Sequence, residues 1–100
     1  MRYYNEMENC PDEALDGEDG FNFWLNTDFL LGDYSIPKWA FHCRDKNTGV
    51  DEVILWGYYQ DLSAYDPERD ESDQNWDDLG NEIDQIIENE LGYCPNYDMN

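Results

Sequence analysis

One histidine and three cysteines are the residues of this chain that most often serve as nucleophiles, bases or metal ligands. His42 and Cys43 are neighbours, whereas Cys10 and Cys94 lie near the two ends of the sequence. Neighbouring side chains in a strand point to opposite faces, so a Cys–His nucleophile pair is geometrically awkward here. A zinc site needs several converging ligands, which this spacing does not offer. The sequence therefore predicts no catalytic residue, no metal site and no cofactor.

Carboxylates are the second kind of candidate ligand, since the chain has 25 Asp and Glu residues. They cluster at residues 16–20 (DGEDG) and 66–73 (DPERDESD). Neither segment follows the spacing of an EF-hand loop, so we do not expect a dedicated calcium site. An acid–base pair of the glycosidase type gives no signal either, because among so many carboxylates some pair always has a suitable spacing.

The charge balance is the most informative property of the sequence. Five basic residues accompany the carboxylates, which leaves a formal net charge of −20. Twelve acidic residues fall between Asp61 and Glu90 with Arg69 as the one basic residue among them. Nucleic acid and anionic membranes are poor partners for such a surface, whereas a basic protein is a natural one. General acidity for solubility, as in halophilic proteins, is the alternative explanation.

The density of this charge is comparable with that of DNA. A compact chain of this length has a radius of gyration of about 13 Å, and hence a diameter of roughly 34 Å. Duplex DNA carries one negative charge per about 1.7 Å of axis, so a duplex of that length carries roughly 20 charges. The chain therefore reaches the charge density that imitation of DNA requires.

Six of the twelve acidic residues between Asp61 and Glu90 lie in residues 76–91. The pattern of this segment predicts an amphipathic helix. Asn75 is a suitable N-cap and Gly92 a suitable C-cap. The helix has no Lys or Arg, so its acidic residues have no partners within it. Its apolar stripe consists of Leu79, Ile83, Ile86, Ile87 and Leu91.

Residues 21–60 predict three strands. Three segments alternate polar with apolar residues or are rich in aromatic and β-branched residues: FNFWLNTDFLL, PKWAFHCR and VDEVILWGYYQ. The turn DKNTG joins the second segment to the third. Trp39, Phe41 and Cys43 should face one side of the sheet. The predicted fold is α+β: a small antiparallel three-stranded β-meander covered by one C-terminal amphipathic helix. The predicted single domain, 1–100, comprises an acidic N-terminal arm (1–20), the β-meander (21–60), an acidic loop (61–75) and the helix (76–91).

The aromatic residues do not form a plausible platform for nucleic-acid bases, because such a platform comes with a positive groove. We expect the strand tryptophans in the core. Tyrosines near the acidic loop, such as Tyr58, Tyr59 and Tyr65, are candidate anchors for a partner rich in Arg and Lys.

In size, charge and aromatic content the chain resembles the small DNA-mimic proteins of phages and mobile elements, which include anti-CRISPR proteins, antirestriction proteins and inhibitors of uracil-DNA glycosylase. The resemblance implies an inhibitor whose carboxylates replace DNA phosphates in the basic groove of a host defence complex. The predicted partner is thus a basic nucleic-acid-binding protein. The predicted partner-binding residues are Asp66, Glu68, Asp70, Glu71, Asp73, Asp77, Asp78, Glu82, Asp84, Glu88 and Glu90.

Two other functions use the same electrostatics. One is an immunity or antitoxin-like protein that neutralises a basic nuclease toxin, and the other is an acidic subunit or chaperone for a basic protein. Pairing of two copies into a homodimer with a longer negative surface also stays open. The odd number of cysteines, the absence of C-x-x-C and the lack of a signal peptide predict reduced thiols in a cytosolic chain. The resemblance implies that this compartment is the cytoplasm of a bacterial host cell.

Overall fold

The structure of the chain is a computed structural model that describes residues 3–16, 19–29 and 38–99, with the backbone alone described at residues 28, 29, 71, 98 and 99. The strands are β1 (Tyr4–Asn5), β2 (Phe21–Phe29), β3 (Lys38–Asp45), β4 (Asp51–Tyr58) and β5 (Tyr97–Met99). The α-helices are α1 (Asp12–Leu15) and α2 (Trp76–Leu91). Short 3-10 helices span Met7–Asn9, Tyr59–Asp61 and Glu71–Asp73. The α+β class predicted from the sequence is confirmed.

The five strands form one sheet in the order β1-β4-β3-β2-β5. The first four are antiparallel to their neighbours, and β5 pairs with β2 in parallel. The prediction of a three-stranded sheet was therefore wrong at both edges. β1 has two residues and β5 has three, which is too short for alternation of polar and apolar residues to reveal a strand. The central meander, β2 to β4, is the predicted one.

A β-bulge in β4 adapts the central hairpin to the core. Phe41 pairs with Leu55, but the next residue of β3, His42, pairs with Val53, so that Ile54 is the extra residue. Both Ile54 and Leu55 are fully buried. A bulge permits two consecutive side chains to point to one face, and the register on either side of it is kept.

Helix α2 covers the sheet and has the bounds that the sequence predicts. The Asn75 side chain accepts a hydrogen bond from the Asp78 backbone N–H, and Gly92 ends the helix in the left-handed conformation with φ of 82°. Among the described residues no helix combines the length and the apolar character needed to cross a membrane. The fully buried side chains of the helix are Leu79, Ile83, Ile86 and Ile87.

The N-terminal segment, predicted as an acidic arm, packs against the core. Cys10 and Ala14 are buried in the same hydrophobic cluster as the sheet and the helix, and Tyr3 and Met7 pack against its margin. The Glu6 backbone N–H donates to the Ile54 carbonyl at 2.8 Å. Residues 3–16 are thus attached by both apolar burial and backbone pairing.

The aromatic residues divide between the two faces of the sheet. Trp39 is fully buried in the core, as predicted. Trp24 and Trp56 are only half-buried and lie on the other face, where Trp24 stacks on His42 with ring centroids 4.1 Å apart. Tyr59, a predicted interface anchor, is fully buried, and its hydroxyl donates to the Thr27 carbonyl at 2.8 Å. The prediction for Tyr59 was wrong, because the chain turns at Tyr59–Asp61 and directs this ring into the core.

Candidate partner-binding surface

The acidic loop before α2 is held in one conformation by a single buried amide. Gln74 is 6% exposed. Its side-chain oxygen accepts from the Asp66 backbone N–H at 2.9 Å, and its side-chain nitrogen donates to the carbonyls of Asp66 at 2.6 Å and Arg69 at 3.1 Å. These bonds replace backbone partners that an irregular segment lacks. The loop is therefore an ordered platform for its carboxylates.

The first turn of α2 continues this platform. Asp77 and Asp78 are exposed in that turn, where the partial positive charge of the helix N-terminus stabilises anions. The Asn75 side-chain nitrogen donates to the Asp78 carboxylate at 2.7 Å. Negative charge at this end of the helix costs less than it would elsewhere on the surface.

Five exposed carboxylates of the loop and the first turn define what we call the acidic patch. They belong to Glu68, Asp70, Asp73, Asp77 and Asp78. Within the described ranges, the arginine ion pairs reach Asp51 and Asp66, and no carboxylate of the acidic patch takes part in them. The acidic patch consequently presents carboxylates that form no ion pair within the described part of the chain.

The other two predicted loop residues differ from the acidic patch. Asp66 is half-buried, accepts from the Glu68 backbone N–H at 3.0 Å, and forms an ion pair with Arg69 at 3.4 Å between Oδ2 and Nε. Its main effect is to shape the loop. The Glu71 backbone lies in the 3-10 turn Glu71–Asp73, and its side chain is outside the description.

Glu82, a predicted partner-binding residue, is instead a structural acceptor. One of its oxygens accepts from the Ser63 backbone N–H at 2.9 Å, and the other accepts from the Ser63 hydroxyl at 2.6 Å and the Ala64 N–H at 3.2 Å. These bonds tie the second turn of α2 to the segment that follows the 3-10 helix Tyr59–Asp61. Hydrogen bonds to a charged acceptor are the stronger ones in proteins.

Asp84 and Glu90 join α2 to the two edge strands. The Tyr97 hydroxyl of β5 donates to Asp84 Oδ1 at 2.9 Å. Glu90 accepts from the Tyr3 hydroxyl and from the Asn5 side-chain nitrogen of β1, the latter at 2.6 Å. Burial, and then the hydrogen bond to Asp84, raise the pKa of Tyr97, so this hydroxyl stays a donor throughout the physiological range. Both carboxylates are half-buried and belong to the fold.

Glu88, the last of the predicted residues, is half-buried beside Cys94. Glu88, Asp84 and Cys94 each offer one ligand atom, and these three atoms lie within 4.8 Å of one another. The predicted acidic surface thus separates into an exposed N-terminal part, which is the acidic patch, and a C-terminal part that makes internal contacts.

The helical period could have identified one of the internal carboxylates from the sequence. Glu90 follows Ile83 by seven residues and Ile86 by four, which places it within the apolar stripe and not opposite it. Gln74 and Cys94 gave no such signal, because the partners of Gln74 come from an irregular segment and Cys94 approaches α2 only after the chain has turned back at Gly92.

No protein-family model, curated protein or solved structure matches the chain. Its function is therefore inferred from its own residues and their geometry.

Proposed function

We propose that the chain is a non-enzymatic inhibitor that acts as a DNA mimic and blocks the DNA-binding groove of a basic host defence complex, such as a CRISPR–Cas effector or a restriction enzyme. The observation that supports this proposal is the acidic patch, five exposed carboxylates within eleven residues of sequence, on a loop ordered by Gln74. A groove that binds DNA offers Arg and Lys side chains spaced for phosphates. Carboxylates of the acidic patch would occupy the same side chains.

Size and charge support the same proposal. The longest extent of the molecule is 42 Å. A duplex of that length carries roughly 25 phosphate charges at one per about 1.7 Å, and the chain has a formal net charge of −20. The electrostatic field of this net charge increases the rate of encounter with a basic partner, and added salt screens it.

Order in the loop favours binding as well. Association costs about 0.5–1.5 kcal/mol for each rotamer-rich side chain that must be immobilised, and the ordering of loops adds to this cost. The three hydrogen bonds of Gln74 and the cap at Asn75 fix the backbone of the acidic patch before a partner arrives. A smaller part of the favourable binding free energy is then lost in ordering the loop.

The proposal is tested by capture from a bacterial lysate treated with nuclease, at low salt, on immobilised chain. A patch variant, Asp70→Asn, Asp73→Asn and Asp77→Asn, is compared with a control variant of equal charge, Glu8→Gln, Glu13→Gln and Glu52→Gln, whose three residues are exposed outside the acidic patch. We expect the wild type and the control variant to retain a DNA-binding protein and the patch variant to lose it. Recovery of no basic protein, or equal recovery by both variants, would contradict the proposal.

A further inference from the structure

The C-terminal end of α2 brings three potential metal ligands together. Asp84 and Glu88 are four residues apart and lie one above the other on the same side of the helix. Gly92, with φ of 82°, ends the helix and lets the chain turn back, so that Cys94 lies against this side. One ligand atom from each residue lies within 4.8 Å of the other two.

The position of Cys94 is fixed from the far side by β5. This strand pairs with β2, and its Tyr97 donates a hydrogen bond to Asp84 Oδ1 at 2.9 Å. Pro95, between Cys94 and β5, is buried. The sulfur and the carboxylates therefore come from two different segments of the chain, the helix and the turn that leads into β5, and the Tyr97–Asp84 hydrogen bond joins these segments.

The electrostatic setting favours a cation at this point. Glu88 lies in the last turn of α2, where the helix dipole disfavours anions, and the helix has no basic residue to compensate Asp84 or Glu88. A divalent ion held between the Asp84 and Glu88 carboxylates and the Cys94 sulfur would relieve the crowding of negative charge at this point.

We propose that Asp84, Glu88 and Cys94 bind a zinc-like divalent cation through one sulfur and two carboxylate oxygens. Zinc accepts this mixture of donors, with bonds of about 2.0–2.3 Å, and frequently takes three protein ligands and a water. Around a tetrahedral zinc, these bond lengths place two ligand atoms roughly 3.3–3.7 Å apart. Small rotations of the three side chains are therefore enough to bring their ligand atoms within bonding distance of one ion.

The neighbourhood of the cluster suits a partly open site. Cys94 is exposed and lines a surface cleft of about 270 Å³ together with Phe21, Tyr93 and Pro95. Because Cys94 is exposed, a water molecule from solvent can supply the fourth ligand. Metal binding by a thiol releases the thiol proton. Tyr97 is a positioning residue that orients Asp84.

Sulfur ligation distinguishes this site from the adventitious attraction of cations to a surface of net charge −20. Thiolate selects zinc, cobalt and similar ions over magnesium and calcium, which prefer oxygen ligands alone. Titration of the reduced full chain with Co²⁺, in an excess of Mg²⁺, should give a thiolate-to-cobalt charge-transfer band that saturates at one ion per chain. Zn²⁺ should abolish the band.

Variants separate the proposed site from the rest of the surface. Cys94→Ser should remove the charge-transfer band, and Asp84→Asn, Glu88→Gln and Tyr97→Phe should each weaken Co²⁺ binding about tenfold or more. Asp77→Asn, an equal change of charge at the exposed N-terminal end of α2, should leave binding unchanged. Circular dichroism confirms that each variant is folded.

Three results would overturn the proposal: no charge-transfer band, a band that Cys94→Ser retains, or a band that excess Mg²⁺ removes. The last two would indicate ligation by another cysteine and adventitious binding respectively. This inference does not depend on the proposed inhibition of a DNA-binding complex, since the metal titration involves the chain alone.

Discussion

Glu90 and Asp77 lie in the same helix and carry the same charge, but the structure uses them differently. Glu90 accepts hydrogen bonds from Tyr3 and Asn5 and holds the N-terminal segment. Asp77 is exposed in the first turn of α2, where the helix dipole favours its charge. Acidity in this chain therefore serves both the fold and, in our proposal, a partner.

His42 gives a prediction about pH. Burial lowers its pKa, and Arg44 acts in the same direction, although Asp51, 3.3 Å from Nδ1, opposes both. The unfolded chain therefore takes up a proton near pH 6.5, before the folded chain does. The contribution of His42 to the free energy of unfolding is complete above this pH and is lost as the pH falls toward its lower folded pKa.

Urea unfolding at pH 7.5 and pH 5.5 tests this prediction. We expect a smaller difference in the free energy of unfolding between the two pH values for His42→Gln than for the wild type. An unchanged difference would show that His42 has the same pKa in the folded and unfolded chains.

The three thiols give a second prediction at this scale. Cys10 and Cys43 are buried, and Cys94 is exposed. Burial, with the neighbouring Cys43, raises the pKa of Cys10 to about 12. A disulfide reagent should therefore modify one thiol per chain in the native protein and three after denaturation. Loss of the native reaction in Cys94→Ser identifies the thiol, and rapid reaction of a second thiol would contradict this picture of the core.

Among the secondary-structure elements, α2 gives a matched pair of glycine substitutions. Gly92→Ala places a Cβ on a residue with φ of 82°, which should destabilise the protein by roughly 1–2 kcal/mol. Gly80 lies within the helix, and a Cβ there meets nothing within 4 Å, so Gly80→Ala should stabilise by about 0.5–1 kcal/mol. Thermal unfolding should give shifts of opposite sign. Shifts of the same sign would contradict the boundary of α2 at Gly92.

Gln74 provides the test of order in the acidic loop. Gln74→Ala removes three hydrogen bonds and leaves partly buried backbone groups of Asp66 and Arg69 without these partners, so we expect a loss of about 1–3 kcal/mol in the free energy of unfolding. Gln85 is exposed, with one long hydrogen bond of 3.4 Å to Asn89, and Gln85→Ala should change stability by less than about 0.5 kcal/mol. Equal effects of the two substitutions would mean that Gln74 does not organise the loop.

The sequence predicted those secondary-structure elements whose residue pattern extends over many consecutive residues. Sixteen residues with a helical period and both capping residues are enough to give the bounds of α2. The hairpin of β3 and β4 follows from the strand patterns on both sides of the turn DKNTG, residues 45–49. The edge strands could not be predicted, because two or three residues carry no period and their pairing depends on distant parts of the chain.

The candidate surface was predicted in composition but not in arrangement. The sequence shows that residues 61–90 are acidic, and the acidic patch lies among them. It does not show that Glu82 and Asp84 turn toward Ser63 and Tyr97, because those contacts exist only after the helix has packed on the sheet. Hydrogen-bond partners from distant segments therefore decide which carboxylates are internal.

At the scale of the whole molecule, a net charge of −20 opposes the compact state through self-repulsion. The chain nevertheless buries one continuous hydrophobic cluster, to which the sheet, α2 and the N-terminal segment all contribute. In the proposed function, binding to a basic groove relieves this repulsion among the carboxylates. Affinity for the partner should accordingly fall steeply with salt.

Displacement of DNA is the measurement that tests the central claim most directly. Fluorescence anisotropy of labelled duplex DNA, bound to the partner captured by the chain, should fall to its free value as the chain is added. The patch variant, Asp70→Asn, Asp73→Asn and Asp77→Asn, should displace DNA roughly tenfold less well, because three charge pairs at about 0.5 kcal/mol each are lost. The control variant, Glu8→Gln, Glu13→Gln and Glu52→Gln, should match the wild type. A ternary complex of partner, DNA and chain, or equal displacement by both variants, would contradict the account.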